Sequence, residues 1–190
     1  MKMYNDEFWK NVEDFVKNCL KNQDVTHGFN HVERVLRHLK KLCRGRDVDW
    51  NLMKLSCLLH DTGYSRDFKN HAEASCTIAR EFLSSIKFDE AKKEKAIEII
   101  RNHHGSWSSQ SRCFEGKLLW TADKLDWTSP YGLMRAVIQN ANMNSFDEMF
   151  KFYIDSVKKL EIDKIDDEKL KEVLNKNWRI TEKILERLVG

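Results

Sequence analysis

The sequence predicts an all-α protein, and three observations favour that class. Apolar residues recur at the i, i+3, i+4 and i+7 spacing of a helix along most of the chain. No segment shows the convincing period-two alternation that a half-buried strand requires. The single proline, Pro130, and the seven glycines leave long segments without a residue that breaks helices. We therefore expect a bundle of α-helices.

Three apolar stripes predict the first helices, over residues 8–19, 32–43 and 52–59. The third stripe is apolar nearly all round, as expected for a central helix that is buried on every side. It ends at the pair His60-Asp61, so two ionisable side chains follow directly after the most buried element of the predicted fold.

The later stripes predict helices over residues 72–86, 96–104, 118–125, 133–141, 146–160 and 168–188. A loop is expected from Gly105 to about residue 116. Asp166 or Asp167 is the candidate N-cap of the last helix. Every candidate for chemistry precedes Pro130, and we therefore expect residues 133–190 to form packing helices.

Composition is typical of a globular protein, and the modest net charge does not require a nucleic-acid partner. The chain has 190 residues, with 41% apolar and 33% charged residues, which suits one domain with a real core. We expect a single domain over residues 1–190 whose motifs lie in a core of about 27–127. The net charge of +3 fits an anionic small molecule, and the scattered basic residues give little support to a nucleic-acid partner.

Cellular context is predicted from what the sequence lacks. The N-terminus has no apolar stretch of the secretory kind, and nowhere do 18 apolar residues run together, so no membrane association is expected. The five cysteines are odd in number and show no C-x-x-C spacing, which favours reduced thiols in a cytoplasmic protein. The apolar C-terminal helices are compatible with a homodimer.

Ionisable side chains adjoin the apolar pattern at three places: His31, the pair His60-Asp61, and Asp123. An ionisable group beside a buried stripe is costly unless it is paired or binds a metal. Helical bundles build metal sites by bringing such residues from several helices to one centre. The two imidazoles and two carboxylates therefore predict a divalent metal site at the centre of the bundle.

The types of donor atom indicate which metal ions the site favours. Nitrogen and oxygen donors without a thiolate favour Mn, Fe, Mg, Ni or Co over a structural zinc. Four protein ligands on a six-coordinate ion leave positions for water and substrate. Taken singly, His31 could be a boundary histidine, His60-Asp61 a hydrogen-bonded helix end, and Asp123 a solvated acid. The ordered combination favours a single metal site and leaves a second one open.

The motifs resemble those of the HD superfamily of metal-dependent phosphohydrolases, whose fold is all-α. The segments LLHDTGYSRDFKNHAEAS, NHH and WTADKLD are similar to those of small, single-domain predicted HD hydrolases. The resemblance covers roughly residues 27–127. It implies an HD-domain-like helical bundle in which His31, His60, Asp61 and Asp123 bind the metal.

The resemblance also implies roles for other histidines. His71 and the pair His103-His104 match histidines that bind a second metal or hold a phosphate in some subgroups, although capping roles at helix ends remain open for them. Since neighbours on a helix are about 100° apart, we expect one residue of the pair to point away from the site.

The activity implied is hydrolysis of a small, nucleotide-like phosphoester by a metal-activated water. Asp61 would bind the metal and orient the water or accept its proton, while His71 or His104 would offset charge on the phosphate. The candidate substrate contacts are Lys124, Arg34, His27 and His103. Asp126 could support a ligand histidine from outside.

Two other functions remain open at this point. Some relatives of the fold hold a di-iron centre and use dioxygen, and the extra histidines permit that chemistry here. A module that senses a nucleotide without turning it over is the third hypothesis. Trp107 could stack on a base or could pack against the fold.

Overall fold

The described part of the chain is helical throughout, apart from its turns and loops. The computed structural model describes residues 4–23 and 26–189, so the ends of the predicted domain, residues 1–3 and 190, lie outside it. Within the described residues the α-helices are α1 (Asp6–Leu20), α2 (Phe29–Leu42), α3 (Trp50–Leu59), α4 (His71–Ser85), α5 (Glu90–Arg101), α6 (Phe114–Trp127), α7 (Pro130–Gln139), α8 (Phe146–Lys158) and α9 (Glu168–Val189). These residues contain no strand, and the all-α prediction is confirmed.

Short 3₁₀ helices connect some of these elements, at Thr62–Ser65, Trp107–Ser109 and Ile162–Lys164. The second of them lies inside the segment predicted as a loop. The candidate N-cap of α9 is Asp167, whose carboxylate accepts from the backbone N–H groups of Lys169 and Leu170 at 3.0 and 3.1 Å.

Helix α3 lies at the centre and delivers the His60-Asp61 pair to the interior. It begins at a cap from Asp49, which accepts from the backbone N–H groups of Asn51 and Leu52. Its leucines are almost completely buried, and each contributes about 2 kcal/mol through removal of apolar surface from water. The polar pair at its end is therefore surrounded by packed helices rather than by solvent.

One continuous apolar core joins residues from α1 through α9. Helix α2 packs extensively along α6, which brings His31 of α2 next to Asp123 of α6. No helix in residues 4–23 and 26–189 combines the length and apolar character needed to cross a bilayer.

The turn after Asp61 depends on Gly63. A Cβ atom at this position would overlap the carbonyl oxygen of His71 and the backbone nitrogen of Ser75. The N–H group of Gly63 also donates to the Ser75 hydroxyl at 2.8 Å. Because the 3₁₀ turn can approach the start of α4 this closely, His71 lies beside the residues at the end of α3.

Candidate metal centre

Three of the four residues predicted to bind the metal lie close together. His31 of α2, His60 after α3 and Asp61 each offer a donor atom, and these atoms lie within 4.8 Å of one another. The Nε2 atom of His31 is 3.2 Å from Asp61 Oδ2, and that of His60 is 3.4 Å from the same oxygen. We call these three residues the first triad.

Asp123 joins the first triad from α6. Its Oδ1 atom lies 3.3 Å from His31 Nε2, and its Oδ2 atom accepts from Lys124 Nζ at 2.5 Å. The four residues predicted to bind the metal therefore meet at one place. Their assignment as ligands remains a prediction.

A second triad shares Asp61. The donor atoms of Asp61, His71 and His103 also lie within 4.8 Å of one another. His103 Nε2 is 3.5 Å from Asp61 Oδ1, whereas the first triad surrounds Oδ2. Asp61 thus presents one oxygen to each triad, an arrangement that can bridge two cations.

Outer hydrogen bonds aim the Nε2 atoms inward. Asp126 accepts from His31 Nδ1 at 2.7 Å, as the sequence analysis suggested. The Nδ1–H group of His60 donates to the carbonyl oxygen of Cys57, and that of His103 donates to Ile100. Since Nδ1 is occupied in each ring, Nε2 is the nitrogen left to coordinate a metal.

Two buried nitrogen atoms without a hydrogen-bond partner in the described part of the chain indicate whether a metal fits the site. The Nε2 atoms of His60 and His103 are buried without a hydrogen-bond partner among the described residues. An unpartnered buried polar atom costs about 1–3 kcal/mol. A divalent cation in the first triad would satisfy His60, and one in the second would satisfy His103, so the residues present fit a metal.

Electrostatics keep the donors in forms that bind metals. Burial lowers the pKa of His60 and of His71 to about 4, so both rings are neutral at pH 7. Burial alone would raise the pKa of Asp61, but the surrounding imidazoles, His60 first, hold it well below its usual range. Both conditions favour coordination.

His31 and Asp123 are coupled to nearby charges. Burial and Arg135 oppose protonation of His31, but the surrounding carboxylates, Asp123 first, raise its pKa to about 10. Burial opposes ionisation of Asp123 as well, yet Lys124 holds its pKa well below the usual range. A metal at His31 Nε2 must therefore displace a proton.

A cavity of about 300 Å³ opens onto both triads. Its lining residues are His27, His31, Asp61, Tyr64, Phe68, His71, His103, His104, Asp123, Lys124, Trp127, Arg135, Gln139 and Leu160. The predicted substrate contacts Lys124, His27 and His103 are among them. A larger cleft, of about 870 Å³, lies elsewhere, between the end of α2 and the start of α9.

Arg34 lies on another side of the centre. Its Nε and Nη2 atoms donate to the two oxygens of Asp126 at 2.6 and 3.1 Å, and it does not line the cavity. The structure therefore places Arg34 behind the metal ligands rather than at the mouth where the sequence analysis expected it.

His103 and His104 both line the cavity, but only His103 offers a donor atom to the second triad, and His104 is exposed. The expected divergence of the two side chains applies to a helix, whereas α5 ends at Arg101 and the pair lies just after it. His104 packs edge-on against His71, with 4.9 Å between ring centroids.

Trp107 packs against the fold and does not line the cavity. It is 8% exposed, and its ring meets that of Trp120 edge-on with 5.1 Å between centroids. The packing alternative is thus the one observed.

Sequence reasoning missed the contribution of α7. Arg135 and Gln139 of this helix line the cavity, so residues 133–190 do more than pack. One signal was present, because Arg135 is the sole charged residue of α7 and lies between Leu133 and Ala136. A lone charge on an apolar helical face is rarely buried without a partner.

The family model for the HD domain matches residues 28–128, which include both triads and Asp123. A search of curated proteins found no match.

Solved structures share the fold over nearly the whole chain. A Lactobacillus plantarum protein has a TM-score of 0.74 at 17% identity and covers 98% of this chain and 97% of its own. An HD-superfamily hydrolase from Bacillus thuringiensis has a TM-score of 0.72 at 21% identity, with coverages of 96% and 95%. Bacillus subtilis YpgQ, solved in complex with ADP, has a TM-score of 0.72 at 16% identity, with coverages of 94% and 92%.

At these identities the structural likeness shows the fold, whereas the family model covers more than half of the chain. The resemblance predicted from the sequence motifs is confirmed. The chain belongs to the HD-domain family.

Proposed function

We propose that this protein is a metal-dependent phosphohydrolase that acts on a small, nucleotide-like phosphoester. Membership of the HD family and the His/Asp cluster support metal-dependent hydrolysis in general. The observation that carries the finer proposal is the pairing of two triads with cationic side chains, Lys124 and Arg135, in one cavity.

The charge balance of the centre favours an anionic substrate. Three carboxylates and three fixed cations surround it: Asp61, Asp123, Asp126, Arg34, Lys124 and Arg135. Their charges cancel. One divalent cation among neutral histidines would therefore give the centre a net positive charge of about two units. A phosphoryl group complements that charge.

The metal, when bound, supplies a Lewis acid for the phosphoryl oxygens and a water of lowered pKa. The donor set suits Mn, Fe, Mg, Ni or Co, and the two triads suit one ion or two. Asp61 lies between the triads, where its ionised carboxylate can orient an incoming water or accept its proton.

The histidines of the cavity and Lys124 have different roles, because the histidines are neutral and Lys124 is charged. Because burial lowers the pKa of His71, that ring serves as a ligand or a hydrogen-bonding group rather than as a positive charge. Burial also lowers the pKa of His104, which lines the cavity beyond His71. Positive charge for the developing phosphate therefore comes from Lys124, whose Nζ atom lies at the Asp123 end of the cavity.

An aromatic side of the cavity supports a substrate with a planar ring. His27 packs on Tyr64 with 4.2 Å between ring centroids, and Phe68 meets His27 edge-on at 5.2 Å. Phe68 is 61% exposed although it lines the cavity, so a ligand ring could cover it. Gln139 Nε2, 3.0 Å from His27 Nε2, adds a polar amide to this side.

A structural neighbour is consistent with such a ligand. YpgQ was solved with ADP, a nucleotide that combines a planar base with a phosphate chain. The cavity of about 300 Å³ is within the size range of small-molecule sites.

A substrate panel tests the proposal. Purified protein loaded with Mn²⁺ or Mg²⁺ is incubated with nucleoside mono-, di- and triphosphates, cyclic dinucleotides and sugar phosphates, and released phosphate, pyrophosphate and nucleoside are measured. We expect turnover of at least one nucleotide. Turnover should disappear in Asp61→Asn and persist in Asp155→Asn, which changes a partly exposed acid of α8.

The rival functions give different results. Oxygen uptake with an organic substrate and without phosphate release would replace the proposal with a di-iron oxygenase. Nucleotide binding at micromolar concentration without turnover would replace it with a sensing module.

A further inference from the structure

From the described residues we infer that Arg135 of α7 is a substrate-binding residue, which contacts the anionic group of the phosphoester beside the metal centre. The inference rests on the proposed function, because that function supplies the phosphoester. It assigns part of the binding to a helix outside the segment that the HD-domain model matches.

The start of α7 explains how Arg135 reaches the centre. Pro130 occupies the first turn after the extended N-cap Ser129, where its missing N–H group costs nothing. A Cβ atom at Gly132 would overlap the carbonyl oxygen of Trp127, so only glycine lets α7 begin this close to the end of α6. One turn further on, Arg135 faces inward and is 9% exposed.

Arg34 and Arg135 both donate to Asp126, but they use different nitrogen atoms of their guanidinium groups. Arg34 uses Nε and Nη2 on the two carboxylate oxygens, so this edge of its guanidinium is occupied by Asp126. The guanidinium also lies over the Tyr131 ring at 4.8 Å. Arg135 donates through Nη1 alone, at 2.9 Å to Asp126 Oδ2. Its Nε atom has no partner among the described residues.

Asp126 does not need Arg135. Its Oδ2 atom already accepts from His31 Nδ1 at 2.7 Å and from Arg34 at 3.1 Å, which fills the lone pairs of that oxygen. The hydrogen bond from Arg135 is thus a third one to the same oxygen. Burying a guanidinium costs free energy unless its charge and its donors are paired. Arg135 therefore keeps a buried donor, Nε, that a further anion can accept from.

The position of Arg135 indicates that the anion is the phosphoryl group of the substrate. Nη1 lies 3.1 Å from Nδ1 of His31, so the guanidinium is adjacent to a candidate metal ligand, and Arg135 lines the same cavity as Lys124. A planar fork with free donors matches the oxygens of a phosphoryl group. The cavity therefore offers a cation from α6 and another from α7 to the same anion.

A pair of matched variants tests the inference. Arg135→Gln and Arg34→Gln each remove one arginine from Asp126, but only the first removes a cation from the cavity. For both, Mn²⁺ affinity of the metal-free protein and affinity of the Mn²⁺-loaded protein for inorganic phosphate are measured by calorimetry. With nucleotide substrates, KM and kcat are measured separately.

We expect Arg135→Gln to weaken phosphate binding and to raise KM by roughly 10- to 100-fold, the range of a lost charge-assisted hydrogen bond. Arg34→Gln should leave phosphate affinity within about twofold, since its fork does not reach the cavity. Arg135→Lys keeps the charge and loses the fork, so it should fall between wild type and Arg135→Gln. It also provides a folded variant if the glutamine substitution unfolds the protein.

Equal loss of phosphate affinity in Arg135→Gln and Arg34→Gln would overturn the inference, because Arg135 would then act through Asp126. Unchanged KM and phosphate affinity in Arg135→Lys and Arg135→Gln would overturn it as well. Failure of the proposed function looks different. In that case the wild type binds phosphate through Arg135 but hydrolyses no phosphoester.

Discussion

The two triads share Asp61 but differ in how firmly the fold holds their other members. In the first triad, His31 is fixed by the buried Asp126, and His60 is fixed by the carbonyl of Cys57. Both rings are almost completely buried, at 1% and 0% exposure. In the second triad, His71 is only partly buried and is held by stacking on Tyr64, with 4.1 Å between ring centroids.

This contrast indicates that the first triad is the preorganised half of the centre. A ligand whose second nitrogen is hydrogen-bonded cannot rotate away, and such support typically raises metal affinity 10- to 100-fold. Stacking restrains the plane of the His71 ring and leaves its rotation freer. We expect the first triad to hold an ion tightly and the second to bind more weakly.

The largest effect should follow substitution of the shared residue. Asp61→Asn removes the charged oxygen of both triads, so kcat should fall by more than the roughly 100-fold that loss of an outer hydrogen bond produces. The measurement is turnover of the substrate found in the panel, alongside a melting curve. Substantial turnover in a folded Asp61→Asn protein would show that the triads do not work through this carboxylate.

Separate removal of the histidines should distinguish the triads. His60→Ala should lose the tightly held ion, while His71→Ala should keep it and lose only the weaker one, because each ring belongs to one triad. Elemental analysis after Mn²⁺ loading and desalting gives the number of ions per chain. The same metal content in both variants would remove the distinction between a firm and a loose triad.

Loss of the carboxylate behind His31 should weaken the first triad alone. Asp126→Asn should reduce the affinity of the tight ion by about 10- to 100-fold. It also leaves two arginines near a neutral amide, and should lower the free energy of unfolding by about 3 kcal/mol. Calorimetric Mn²⁺ titration and urea denaturation measure the two effects, and an equal loss at the second triad would contradict the assignment.

The smallest effect on the centre should come from the C-terminal packing helices. Met149→Ala of α8 removes a side chain that is 7% exposed and should cost about 2 kcal/mol of stability, with unchanged metal content. Phe146→Ala, at 64% exposure on the same helix, is the control and should change stability by less than about 0.5 kcal/mol. Selective loss of metal in Met149→Ala would mean that α8 supports a triad directly.

Much of the fold was predictable because helical periodicity is a local property of the sequence. The apolar stripe at residues 52–59 predicted α3 and its end at His60. The end of α5 was not predictable in the same way. Ile99 and Ile100 continue an apolar pattern into His103, yet the chain turns after Arg101 and brings both histidines to the cavity.

The centre was predictable where ionisable residues follow buried stripes, as at His31 and Asp61. The roles of Arg34 and Arg135 were not, because they depend on which side of Asp126 each helix passes. Sequence separation carries no information on that packing. The contribution of α7 appears only when Gly132 is seen against the end of α6.

The most direct test of a metal centre built on Asp61 is an anomalous difference map from a crystal of the Mn²⁺-loaded protein. We expect a strong peak among His31, His60, Asp61 and Asp123, and a weaker one among Asp61, His71 and His103. A well-ordered crystal grown with Mn²⁺ that shows no anomalous density beside Asp61 would contradict it.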